Sequence, residues 1–206
     1  RTSFQKLERT LAANFDNGDL FITLTYRDEA LPEEKAAAAG RVKRFLRKLR
    51  AARKARGKPL HYIYVTEGAN PGGRLHHHLV VNSTGEDLEE IKKLWIYGDN
   101  IEVRRLSFDR GYTYEDLASY LTKEPREWGH PQVGERTWTP SIGLVKPEVE
   151  SEAVPDYVTL AAPPEADILQ CEGPIRNGYG EYSWIKYLLP KKPRKVRTRR
   201  RRREKE

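Results

Sequence analysis

Three adjacent histidines, His76, His77 and His78, stand in "RLHHHLVVN", and the whole chain holds only five. The apolar residues that follow them predict a strand. Side chains alternate across a strand. His76 and His78 then share one face with Arg74, while His77 points the other way with Leu75, Leu79 and Val81. Two imidazoles at i and i+2 stand ~6–7 Å apart at the backbone and can lean onto one ion. Neutral imidazole suits Mn, Zn, Cu, Fe or Ni better than Mg or Ca. Glu67, at the end of "YVTEG", offers a third ligand if the intervening "NPGG" closes a hairpin. Two histidines and one carboxylate leave coordination positions open for a substrate oxygen. The plainer alternative is a polar strand face without an ion. A second constellation is Tyr120 and Lys123 in "SYLTKEP". On a helix, Tyr120 sits at the edge of the Leu117/Leu121 stripe, with Lys123 one turn on. That spacing suits a nucleophile whose ring packs while its hydroxyl reaches a site; the alternative is an ordinary amphipathic helix.

The elements that must position these groups follow from periodicity. "GDLFITLTYRD" and "LHYIYVTEG" read as strands, rich in β-branched and aromatic residues. Between them, "LPEEKAAAAGRVKRFLRKLRAARKARGK" reads as a helix: Pro32, Glu33 and Glu34 suit its first turn, and Gly57 and Pro59 end it. "RLHHHLVVN" is the next, antiparallel strand. "STGEDLEEIKKLW" is a helix and "IEVRRLS" a strand. "TYEDLASYLTKEP" is a helix opening on Thr113 and Asp116 at capping-box spacing. The order β-α-β-β-α-β-α predicts an α+β fold of the split-βαβ, ferredoxin-like kind. Helices are expected on one face of an antiparallel sheet, with the other free for a site. From about Arg126 the chain turns acidic and proline-rich, which predicts an arm or linker, and "YGEYSWIKYLLP" is expected to dock back as a short element. The expected organisation is a catalytic domain over 1–130, an extension over 131–190 and a disordered basic tail over 191–206.

Charge points to the partner. The net charge is +8, yet "KKPRKVRTRRRRREKE" alone contributes eleven bases and two acids, leaving 27 bases against 28 acids in residues 1–190. Arg41 to Lys58 holds ten bases and no acid. Two basic blocks on a slightly acidic body predict contact with a polyanion, most often nucleic acid. The single Cys171 excludes an internal disulfide framework, and no apolar run is long enough for a membrane span. A cytoplasmic, nucleoid-associated protein of prokaryotic origin fits, or a nuclear one if the source is a eukaryotic virus. The chain begins at Arg1 and lacks methionine, so a native start further upstream is expected.

"RLHHHLVV" resembles the His-hydrophobic-His signature of the HUH single-strand endonucleases, which include rolling-circle replication initiators, relaxases and related transposases. The resemblance spans roughly residues 18–125. "FITLTY" resembles their first motif and "YLTK" their third, whereas His77 departs from the usual hydrophobic middle residue. Tyr120 follows the histidines, as in initiators and small transposases but not relaxases, and Tyr-x-x-Lys favours the initiators. The chain has no G-x-x-x-x-G-K-[ST] loop, so no helicase domain is joined to it.

The resemblance implies Mn2+ or Mg2+ on His76, His78 and Glu67, with Tyr120 attacking a scissile phosphate and Lys123 stabilising developing charge. The products would be a free 3′-OH and a 5′-phosphotyrosine that allows rejoining. Asp116 stands where a two-tyrosine enzyme could place its partner. The implied substrate is single-stranded DNA from an origin or hairpin, with a separate helicase and polymerase from the host or the element. Arg74, Arg44, Arg47, Arg50 and Lys54 are candidate phosphate contacts, and Tyr26, Tyr62 and Tyr64 candidate base platforms. Alternative readings are a non-catalytic single-strand binder on the same scaffold and a transposase with the same nicking chemistry. A histidine-triad hydrolase is disfavoured because Val80 occupies its third histidine position.

Overall fold

The computed structural model describes residues 3–69, 72–108, 113–123, 136–148, 150, 152–153 and 159–190. The chain divides into two compact units, Arg1–Val149 and Glu150–Glu206. In the first, α1 (Ser3–Asn14), β1 (Leu20–Leu24), α2 (Lys35–Ala55), β2 (Tyr62–Glu67), β3 (His76–Val81), α3 (Leu88–Leu94), β4 (Ile101–Arg105), α4 (Tyr114–Leu121) and the short β5 (Thr139–Pro140) follow in order. The strands form one sheet, β4-β1-β3-β2-β5, with every neighbouring pair antiparallel. The α+β architecture agrees with the expected split-βαβ layout. β1 and β3, far apart in sequence, lie side by side at the centre, so the three histidines sit in the middle strand.

One sheet face carries the main core. Val42, Phe45, Leu46 and Leu49 of α2 and Ile91 of α3 pack on Ile22, Leu24, Leu79 and Val81. Fully burying each such side chain contributes roughly 1.5–3 kcal/mol. α2 starts a turn later than Pro32 suggests: Glu34 is its N-cap, and its C-terminal turn closes at Gly57, whose φ of 69° suits glycine. One of its ten bases is structural. Arg53 is wholly buried, 2.7 Å from Asp87 and bonded to Asn82, so it is no part of a basic surface. Burial lowers the Arg53 pKa, and the Asp87 carboxylate opposes that shift.

The second face is not bare, contrary to the sequence-based expectation. A helix, α1, precedes the first strand and packs against α4. Leu7, Leu11, Phe15, Tyr114, Leu117 and Leu121 are buried, as are Ile63 and Val80, which belong to the sheet face opposite the main core. The Tyr114 hydroxyl donates to the Phe15 carbonyl oxygen and ties the two segments together. In α1 the apolar signal is thin: Leu7 and Leu11 share the stripe with the polar Thr10 and Asn14, both buried. α4 opens on the expected capping box. The Thr113 hydroxyl accepts from the Asp116 amide, and the Asp116 carboxylate accepts from the Thr113 amide.

In the second unit, Asp167–Asn177 (β6) pairs with Gly180–Leu188 (β7) in a two-stranded hairpin. The expected linker therefore contains a hairpin, and "YGEYSWIKYLLP" supplies its second strand. Residues 191–206 lie outside the described residues.

Candidate metal centre and tyrosine site

β2 and β3 are paired so that Glu67 lies opposite His76, and Val65 opposite His78. Alternation then brings His76, His78 and Glu67 to one face and sends His77 to the other. On the first face, His76 Nε2 and His78 Nε2 are 3.1 Å apart, and Glu67 Oε2 is 3.7 Å from each. One ligand atom from each residue lies within 4.8 Å of the other two. Ligands bonded to one ion at ~2.0–2.2 Å stand roughly 3.0–3.5 Å apart, so only a small closure separates this arrangement from a coordination set.

The outer partners orient the rings for that task. His76 Nδ1 lies 2.8 Å from the Arg74 carbonyl oxygen, which can only accept. The proton therefore sits on Nδ1 and leaves a lone pair on Nε2. His78 Nδ1 lies 3.2 Å from the Thr23 hydroxyl, and the Phe21 ring stacks on the His78 imidazole at 5.4 Å. Burial, with the charges of His76 and Lys123 adding to it, lowers the His78 pKa to about 3. It is neutral at pH 7, the form in which imidazole binds metals. The donor chemistry and the geometry both fit a divalent ion.

Tyr120 and Lys123 come to the same place. The Tyr120 hydroxyl is 3.4 Å from His78 Nε2, and its ring packs edge-on against Phe21 and His78. Lys123 Nζ lies 4.1 Å from the centre of the Tyr120 ring and 3.6 Å from Glu67 Oε2. Tyr120 remains 40 % exposed, so a strand can reach its hydroxyl from solvent.

His77 is of another kind. It is fully buried, with Nε2 2.6 Å from the Tyr26 hydroxyl and Nδ1 2.9 Å from the Thr66 hydroxyl, and its ring meets Trp95 edge-on. Burial lowers its pKa to about 3 as well.

Five of the expected site residues thus converge: Glu67, His76, His78, Tyr120 and Lys123. The expected DNA contacts do not converge on them. Arg44, Arg47, Arg50 and Lys54 are exposed on α2, which packs on the opposite sheet face. Arg44 reaches the Tyr97 hydroxyl, and Arg50 lies over the Tyr62 ring. Arg74 pairs with Asp28 at 2.7 Å and donates to the Tyr26 carbonyl oxygen. The proposed base platforms are corrected too. Tyr26 and Tyr64 are buried in the main core, and Tyr62 packs beside them, all on the His77 side. Sequence reasoning missed Thr23 and Phe21. The signal was present in "FITL", where Phe21 and Thr23 alternate with the core residues Ile22 and Leu24.

This constellation, on an antiparallel sheet flanked by helices, defines an HUH-type site. Residues 19–125 match the family of replication-associated proteins of the ORF2 type, and the chain belongs to that family. No curated protein and no solved structure gives a significant match. A Rep-type role in replication goes with that membership, and DNA is the partner such a role requires. No described helix is long and apolar enough to cross a membrane.

Proposed function

We propose that the protein starts rolling-circle replication by nicking single-stranded DNA through Tyr120 and can rejoin the strand. The observation that carries this reading is the Tyr120 hydroxyl, 3.4 Å from a histidine of the candidate metal cluster and still open to solvent. The phenol oxygen attacks phosphorus, and a P–Oη bond forms as the P–O3′ bond breaks. The 3′ oxygen leaves and takes up a proton, and the 5′ phosphate stays on the tyrosine. One phosphodiester replaces another, so the bond energy is kept for rejoining. A divalent ion, Mn2+ or Mg2+, held by His76, His78 and Glu67 would polarise the scissile phosphate. Unperturbed tyrosine, with a pKa near ~10, is almost wholly protonated at pH 7. Lys123, beside both the ring and Glu67, favours the phenolate as it develops. The bases of α2, Arg74 and the tail serve as phosphate contacts away from the reacting bond, and a separate helicase and polymerase extend the 3′-OH.

The test is incubation with single-stranded DNA from the protein's own genetic element and Mn2+, followed by a denaturing gel. A covalent adduct that EDTA prevents is expected. Retention of DNA without any adduct would instead indicate a plain single-strand binder, and joining of two paired ends a transposase.

A further inference from the structure

A groove of about 430 Å3 opens where the start of α2 meets β2 and β5. That volume lies within the ~300–1,000 Å3 of small-ligand sites. Its wall carries three cations, Lys35, Lys43 and Arg136, and no carboxylate. It also carries the half-buried indole of Trp138 and the hydroxyl-bearing Thr66 and Thr137. Cations beside an aromatic face are what a single strand needs: phosphates meet charge while a base stacks.

The aromatic wall is held in place. Thr139 and Pro140 pair with Tyr64 and Ile63, and the Ser141 amide donates to the Tyr62 carbonyl oxygen at 2.8 Å. The indole Nε1–H of Trp138 donates to the Ser3 hydroxyl at 3.1 Å, which fixes the ring. The groove also has a useful position. Thr66 lines it, and the next residue, Glu67, belongs to the metal cluster on the other side of the same strand. Among the described residues β5 covers the β2 edge only at Ile63 and Tyr64, short of Glu67.

We infer that this groove is a second single-stranded DNA site, in which Lys43 and Arg136 hold phosphates and Trp138 stacks a base of a strand that rounds the β2 edge to reach Tyr120. The inference rests on the reading that single-stranded DNA is the substrate. It gives that strand a path on the α2 side of the sheet, where the exposed bases of α2 also lie.

The test uses the full chain in EDTA, with a dye-labelled oligothymidylate followed by fluorescence anisotropy across a salt series. The paired substitution Lys43→Glu with Arg136→Glu should weaken binding by more than about tenfold and flatten the log–log salt slope by ~1.4, at ~0.7 per phosphate contact. Trp138→Ala should weaken binding by about tenfold with no change of slope, since base stacking is independent of counterion release. Lys43→Arg with Arg136→Lys, and Trp138→Tyr, should restore most of the affinity. Thermal melting and Mn2+ titration check that each variant is folded with its histidine cluster formed. Unchanged affinity and slope in the folded charge-reversal variant would overturn the groove, as would unchanged affinity in Trp138→Ala. Adduct formation separates the two ideas. A chain that forms the phosphotyrosine but ignores these substitutions keeps nicking and loses the groove. A chain that shows the binding losses without any adduct keeps the groove and loses nicking.

Discussion

His77 and His78 are adjacent, almost equally inaccessible and equally held neutral, yet the two faces of β3 treat them differently. On the α2 side both nitrogens of His77 meet hydroxyls, Tyr26 and Thr66, and the ring is packed by Trp95. On the α4 side only Nδ1 of His78 is spoken for, by Thr23, while Nε2 faces His76, Glu67 and Tyr120. Burial therefore does not separate a structural histidine from a functional one. What separates them is whether the second nitrogen ends on a saturated partner or on a cluster that can exchange partners.

The sharpest way to break this comparison is at the tyrosine. Tyr120→Phe keeps the ring against Phe21 and His78 and removes only the hydroxyl. Adduct formation should fall by more than about a thousandfold while single-strand binding persists, because catalysis then lacks its nucleophile. An adduct retained in this variant would move the role to another tyrosine.

Next comes His77→Ala. It empties a packed site and strands the Tyr26 hydroxyl, so urea unfolding should show a loss of about 3 kcal/mol, in the range for buried ring truncations. The folded fraction should still bind Mn2+ through the other face. Loss of Mn2+ binding without loss of stability would invert the assignment of the two faces.

His76→Ala, His78→Ala and Glu67→Gln should do the reverse. Each should lower Mn2+ affinity by about tenfold to a hundredfold or more, as losing a first ligand costs at least as much as losing its outer partner. Titration followed by Mn2+ electron paramagnetic resonance reads this directly.

Acid should act on both faces at once. His77 and His78 have folded pKa values of about 3 against an ordinary 6.5. Below pH 6.5 the unfolded chain binds protons that the folded chain refuses. Metal-free stability is thus full above pH 6.5 and declines as pH falls towards 3, by at most ~1.4 kcal/mol per pH unit for each ring. Urea midpoints at pH 7, 6 and 5 measure the slope, and His77→Ala should remove its share. A flat profile would contradict neutral burial of the two rings.

The smallest effect is reserved for Thr23→Val, which frees His78 Nδ1 without touching a ligand. About a tenfold loss of Mn2+ affinity is expected at nearly unchanged stability.

Much of this arrangement was legible in the sequence, because strand periodicity is strict. Once "HHH" is a strand, alternation sends His77 inward, and the short hairpin carries Glu67 to His76. The capping box at Thr113 fixed the start of α4 and hence the phase of Tyr120 and Lys123. What escaped notice lacked a periodic apolar signal. α1 buries Thr10 and Asn14 where a clean stripe would show leucine, so its cover of the second face went unseen. The β6–β7 hairpin is exposed on most of its length, which erases the in–out alternation that marks a strand. Arg53 looked like one more base in a basic run, and only the tertiary partner Asp87 reveals it as buried.

The outer strands of the five-stranded sheet bear on how the protein behaves in crowded solution. β4 exposes Glu102, Arg104 and Arg105, and β5 at the other side is two residues long and ends in a proline that has no amide hydrogen to offer. A second copy approaching either border would meet charge on one side and almost no ladder on the other. The sheet can therefore reach high local concentration at a replication origin without recruiting its own kind into a continuous ribbon, and its flat surfaces stay available for DNA.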